Sequence, residues 1–312
     1  MSEKLDAGTK WSYCVGATGR DAAYALVSMY LILYVQYTMN LTSAQFAVIS
    51  GAMILCMVWD AVNDLLMGII IENTHFKMGK FKPWILIGCI TNAAVIICLF
   101  TIRPSGWAFV GFYSLFYLLW GMTYTMNDIA YWGVLPSLSS DPGTRDSLVT
   151  IMSIFICIGQ FSVAGVVPVV IAGNAVKAYR TVALVVALAL VAFQLLTAFG
   201  IKERDRKEQT EKLSLKDMYR IFARNDQLVA AGATSVFFNI TCNILIIFGV
   251  NFFYIEYGYS ESGNLVFYFT VMYGLGMVLI PVLTLIVSYV IIRKRYHIDE
   301  AEYVNLIQEK QP

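Results

Sequence analysis

GAMILCMVWDAVNDLLMGIII, residues 51–71, decides the class of this chain. Apart from two glycines and three polar residues (Asp60, Asn63 and Asp64) every position is apolar. The run is long enough for the roughly 20 helical residues that cross a ~30 Å hydrocarbon layer. Two carboxylates in such a run are costly unless something pairs with them, so Asp60 and Asp64 call for an explanation.

Outward from that stretch the pattern repeats. Eight apolar segments reach spanning length, at 11–37, 44–71, 83–102, 107–135, 147–172, 181–200, 226–255 and 264–292. Hydrophobic residues make up 58% of the chain, charged residues 14%, and the mean hydropathy is +0.66, all far from soluble averages. No segment alternates with the period of two that a membrane barrel strand needs. The expected fold is therefore all-α: a polytopic membrane protein with a six-helix N-terminal bundle and about two further transmembrane helices. The net charge of +1, with basic residues confined to loops, argues against a nucleic-acid partner. The polar start MSEKLDAGTK and the long apolar run after it do not fit a signal peptide. Cys14, Cys56, Cys89, Cys98, Cys157 and Cys242 all lie in apolar runs without ligand spacing, and read as core or lipid-facing residues.

Lys and Arg residues set the orientation. With the N-terminus inside, the inner segments hold eighteen of them and the outer loops only Arg103, Lys177 and Arg180. This places both termini in the cytoplasm, in a multi-pass protein of the cell (inner) membrane. The polar connector KERDRKEQTEKLSLKDMYRIFARND, around 201–225, divides a bundle at 1–200 from two helices at 226–292 and a cytoplasmic tail at 293–312. The connector reads as a solvated loop or a site for a regulatory partner. In the tail, Asp299 and Glu302 have the spacing that caps a short amphipathic helix resting on the membrane surface.

Five ionisable residues fall well inside spans: Arg20, Asp21, Asp60, Asp64 and Asp128. They lie on the first, second and fourth helices, at depths that let them surround one cavity. Asp60 and Asp64 are four apart and share a helical face, with Asn63 beside them. In GMTYTMNDIAYWG, Tyr124, Asp128 and Trp132 share a stripe, with Thr125 adjacent. Four acids against one base attract a cation or bind protons. Their hard oxygen donors suit Na⁺ or Li⁺, and nothing here favours a transition metal. Each residue also has a structural alternative. Asp64 could snorkel or bond to loop backbone, Arg20 and Asp21 could be an interhelical pair, and Trp132 could be packing. An enzyme is not expected: His75 and His297 fall in loops, and no nucleophile or metal constellation accompanies the aspartates.

WDAVNDLLMG, MGKFKPWILIG, WGMTYTMNDIAYWGVLP and YCVGATGRDAAYA together resemble the glycoside–pentoside–hexuronide:cation symporters. The resemblance runs through the six-helix block and into the seventh helix at FARNDQL. It implies a major-facilitator-type transporter in which sugar and cation share a central cavity. The cation positions map to Asp60, Asn63, Asp64 and Thr125. The sugar positions map to Asp21, Asp128 and Trp132, with Arg20 where the family often has lysine, and Tyr124 shares their stripe. The implied partners are a sugar or glycoside, a monovalent coupling ion (Na⁺, alternatively H⁺ or Li⁺) and the bilayer, with no other cofactor.

The chain departs from the family in places. Leu65 and Ala130 stand where prolines are usual, which should straighten the second and fourth helices. Ser153 stands where the fifth helix normally offers an arginine to the sugar. The second half reads as shortened by four helices, with a junction near Gly276–Pro281. Two expectations follow from this: a cation-coupled symporter, in which a homodimer partner could supply the missing wall, or a non-transporting truncated remnant of one.

Overall fold

A computed structural model describes residues 5–74, 76–139, 141–171 and 174–203, and short pieces between 232 and 272. Six helices fill the first part: α1 (Ala7–Thr38), α2 (Ser43–Asn73), α3 (Lys82–Thr101), α4 (Trp107–Leu138), α5 (Pro142–Val170) and α6 (Ala175–Gly200). By internal packing the chain divides into Met1–Phe267 and Tyr268–Pro312. Of the second unit, Tyr268, Phe269, Val271 and Met272 are described, all helical. The connector from 204 to 225, the tail at 293–312, and His75, His297 and Cys242 lie outside the described residues. So do the spans expected at 226–255 and 264–292, apart from short helical pieces such as 252–257 and 265–269.

Four of the helices, α1, α2, α5 and α6, begin at side-chain caps, ahead of their apolar runs. Asp6 accepts from the Thr9 amide at the start of α1, and Thr42 and Gln45 form a reciprocal capping box on α2. Asp141 accepts from the Thr144 amide at 2.8 Å and Asn174 from that of Lys177 at 3.0 Å. These two caps correct the expected starts of the fifth and sixth spans. Arg145, Lys177 and Arg180 are therefore helical residues rather than loop residues. Leu65 and Ala130 sit within uninterrupted helix; α4 and α5 carry prolines only near their ends, at Pro136, Pro142 and Pro168.

α2, α3, α5 and α6 are long and apolar enough to cross a membrane. α1 and α4 have the length, at 32 residues each, and carry the buried Arg20 and Asp21 and the partly exposed Asp128. The packing explains how they tolerate them. α1 lies against α5 and α6, α4 lies against α2 and α3, and an α3–α6 seam joins the two groups. Small residues permit the close approaches: a Cβ on Gly159 of α5 would sit 3.0 Å from the Thr18 carbonyl carbon of α1. Amides staple the seam, since Asn127 donates to the Ile85 carbonyl (2.9 Å) and to Gln194 (3.2 Å), and Gln194 donates to the Gly16 carbonyl (2.9 Å). The backbones of α1 and α4 stay apart, and long side chains bridge them.

At one end, Tyr13 and Tyr131 stack at 4.8 Å, and each hydroxyl donates to the other residue's carbonyl. They sit in a core with Cys14, Ile85, Val134, Leu138 and Met152. The α2–α3 loop is fixed from behind by Glu203, just past α6. Its carboxylate accepts from the amides of Lys80 (2.7 Å), Lys82 (2.8 Å) and Phe81 (3.3 Å). Gly79 makes this turn possible, because its φ of 110° is one that side chains disfavour. The MGKFKPW motif is thus a turn built to receive an anion at a helix start.

Candidate functional site

Arg20 on α1 is 2% exposed, yet it bears a full charge at any physiological pH. Two carboxylates balance it. Its Nε and Nη2 donate to Asp21 Oδ2 at 3.0 and 2.8 Å, and its Nη1 lies 2.9 Å from Asp128 Oδ1 on α4. The guanidinium also packs 4.6 Å from the Tyr131 ring and 5.7 Å from the Trp132 ring. The expected Arg20, Asp21, Asp128 and Trp132 therefore form one group that bridges α1 and α4. Asp21 is buried, while the Asp128 side chain is 30% exposed and Trp132 38% exposed, which leaves these two open for a ligand.

Tyr124, one turn before Asp128, continues the group as an aromatic wall. Its ring lies 5.2 Å from Tyr24 and 5.9 Å from Trp120, and Tyr24 lies 6.3 Å from Trp120. Asn92 of α3 braces the stretch that carries Trp120, donating to the Trp120 carbonyl (3.1 Å) and the Thr123 hydroxyl (2.9 Å).

The acids of α2 meet the next stripe of α4. The Thr125 hydroxyl donates to Asp64 Oδ1 at 2.9 Å. Asp60 lies against Gly121, where a Cβ would come 3.1 Å from its carboxyl carbon and 3.2 Å from Oδ2. Only glycine lets this carboxylate reach the α4 backbone. Asp60 Oδ1 is buried with no hydrogen-bond partner among protein groups, and so is Asn63 Nδ2. Asp64 is exposed. An unpartnered buried carboxylate oxygen beside a second acid, an amide and a hydroxyl fits a small hard cation or a proton.

Ser153 is exposed, and its hydroxyl donates to the Val149 carbonyl of its own helix. Gln160, seven residues on and on the same face of α5, donates to Asp21 Oδ1 at 3.1 Å instead. Sequence reasoning missed Gln160, Tyr131, Tyr24 and Trp120. For Gln160 the available signal was a lone amide within an apolar span, two turns beyond Ser153.

This geometry can be set beside known proteins. A match to the family described as MFS/sugar transport protein covers residues 12–296. The chain belongs to that family. Its relatives include a lactose permease of Lactobacillus helveticus, 28% identical over 70% of this chain and 38% of that protein. A raffinose carrier protein of Pediococcus pentosaceus is 24% identical over 89% of this chain and 47% of that protein. An isoprimeverose transporter of Lactiplantibacillus pentosus is 26% identical over 69% and 46%, respectively. The chain thus spans about half or less of the length of these curated relatives. Family membership and the apolar helices make this a multi-pass membrane protein.

Proposed function

We propose that this chain takes part in cation-coupled symport of a sugar or glycoside. The sugar would bind at Arg20, Asp21, Tyr124, Asp128 and Trp132. Carboxylates and a guanidinium bond ring hydroxyls, while Trp132 and Tyr124 offer apolar faces to the ring. The coupling ion, Na⁺ or alternatively H⁺ or Li⁺, would bind at Asp60, Asn63, Asp64 and Thr125. The observation that carries the reading is the unpartnered Asp60 carboxylate oxygen, set beside Asp64 one helical stripe away from the Arg20 group. The names of the relatives support sugar as the substrate class. The charge of the loops supports insertion in the cell membrane with both termini in the cytoplasm.

The test is uptake of α- and β-glycosides, pentosides and hexuronides into proteoliposomes holding the full chain, with and without an inward Na⁺ or H⁺ gradient. Gradient-driven uptake that D128N abolishes is the expected result. Sugar binding without uptake would keep the site and refute transport by this chain.

A further inference from the structure

The sugar-facing group holds one cation for two carboxylates. Arg20 is shared between Asp21 and Asp128, and the other oxygen of Asp21 is taken by Gln160. Facing an ionised carboxylate, the Gln160 amide must turn its NH₂ inward, so it contributes a hydrogen bond and no charge. Ser153 on the same stripe bonds its own helix. Among the described residues, every other Lys and Arg sits at a helix end or in a loop. The group therefore carries one net negative charge. Its open part is the exposed edge of Asp128 with the exposed faces of Trp132 and Tyr24, and aromatic faces attract cations.

We propose that this cluster selects its sugar by charge: rings bearing only hydroxyls or an amine bind, and rings bearing a carboxylate are rejected, because the neutral Gln160 leaves Arg20 as the one cation against Asp21 and Asp128. This rests on the sugar-site reading above. A unit charge about 7 Å from an uncompensated carboxylate, at an effective dielectric of about 20, changes affinity by roughly 10- to 100-fold.

The experiment is calorimetric titration of the full chain in lipid nanodiscs with matched methyl glycosides. Each set holds a neutral hexoside, its 2-amino analogue and its uronide, in both gluco and galacto configurations. The expected result, in the configuration that binds, is a uronide at least 10-fold weaker than the neutral sugar and an amine equal or tighter. A uronide that binds as well as the neutral sugar overturns charge selection while leaving the sugar site standing. Absence of binding by every member overturns the sugar site and this inference together. In Q160R, which adds the second cation, the uronide penalty should shrink, and in Q160A it should persist; a penalty unmoved by Q160R overturns its electrostatic origin. The wild-type comparison decides charge selection even if a variant fails to insert.

Discussion

Replacing Arg20 by Met tests the centre of the site most directly. Methionine fills similar volume but leaves Asp21 and Asp128 facing each other across the α1–α4 gap without their shared cation. Breaking a buried ion pair by removing one partner costs about 3–5 kcal/mol, because the remaining charge is buried unpaired. The partial exposure of Asp128 relieves one of the two carboxylates, so a value near 3 kcal/mol is expected. For a chain of this size that corresponds to a fall of roughly 5 °C in unfolding midpoint. The assay is thermal unfolding in detergent, followed by tryptophan fluorescence at constant pH and salt. D128N alone keeps the Arg20–Asp21 pair and should cost less than R20M. The triple variant R20M/D21N/D128N removes every charge and should recover most of the loss, since neutral replacements of buried ion clusters are often tolerated. An R20M midpoint within about 2 °C of wild type, or a triple variant no better than R20M, would refute a buried, shared guanidinium.

Gly121→Ala should push the Asp60 carboxylate off α4 and weaken Na⁺-dependent stabilisation of the chain at least 10-fold in half-maximal Na⁺; an unchanged Na⁺ titration would show that this contact is not part of an ion site. Cys157 is exposed one turn before Gln160, whereas Cys14, Cys56 and Cys89 are buried. With Cys98 and Cys242 replaced by Ser, maleimide should label Cys157 and bound sugar should slow the labelling; a rate indifferent to saturating sugar counts against a ligand beside α5. Glu203→Ala removes the acceptor of three amides, so hydrogen exchange at Lys80 and Lys82 should quicken at least 10-fold, with little change at α1 amides. At the exposed cap of α5, hydrogen bonds from the Thr144 hydroxyl and amide hold the Asp141 carboxyl below the usual carboxylate range. A depressed carboxylate stabilises the fold at higher pH, and that contribution is lost as pH falls through its folded value. T144A should move the NMR titration midpoint of Asp141 up towards the ordinary range, and a midpoint that stays put would contradict the hydrogen-bond cause.

The helices were legible because lipid imposes a length and an apolar composition that soluble cores do not. Their starts were less so, because Asp141 and Asn174 extend α5 and α6 into polar turns that hydropathy alone counts as loop. The charged residues stood out individually, since each is an exception within an apolar run. Their partners did not. That Asp128 and Asp21 share one arginine depends on α1 facing α4 across a gap, which no local pattern encodes. Gln160 shows the same limit: the charge absent at Ser153 is conspicuous in the sequence, while the structure uses an uncharged donor two turns away. Likewise MGKFKPW was legible as a motif, but its ligand, Glu203, lies more than a hundred residues on.

α4 is the element on which both proposed subsites depend. Tyr124 and Thr125 are adjacent, so their side chains diverge by about 100° around the helix. Tyr124 joins the aromatic wall beside the Arg20 group, and Thr125 bonds Asp64. Asp128 and Gly121 repeat this division one turn away on either side. A ligand shifts an equilibrium only by its differential affinity for two states, so coupling requires one body that both ligands bias. A rigid helix with one stripe turned to α1 and the next to α2 meets that requirement without a relay of moving side chains. An ion that draws Asp60 and Asp64 against Gly121 and Thr125 also fixes where Tyr124 and Asp128 stand relative to Arg20. The coupling is thereby open to a sharp test: T125A, which removes a hydroxyl bonded to Asp64, should lower the gain in sugar affinity conferred by Na⁺ while sparing affinity without Na⁺. Equal loss under both conditions would mean that α4 supports the sugar site but does not link it to the ion.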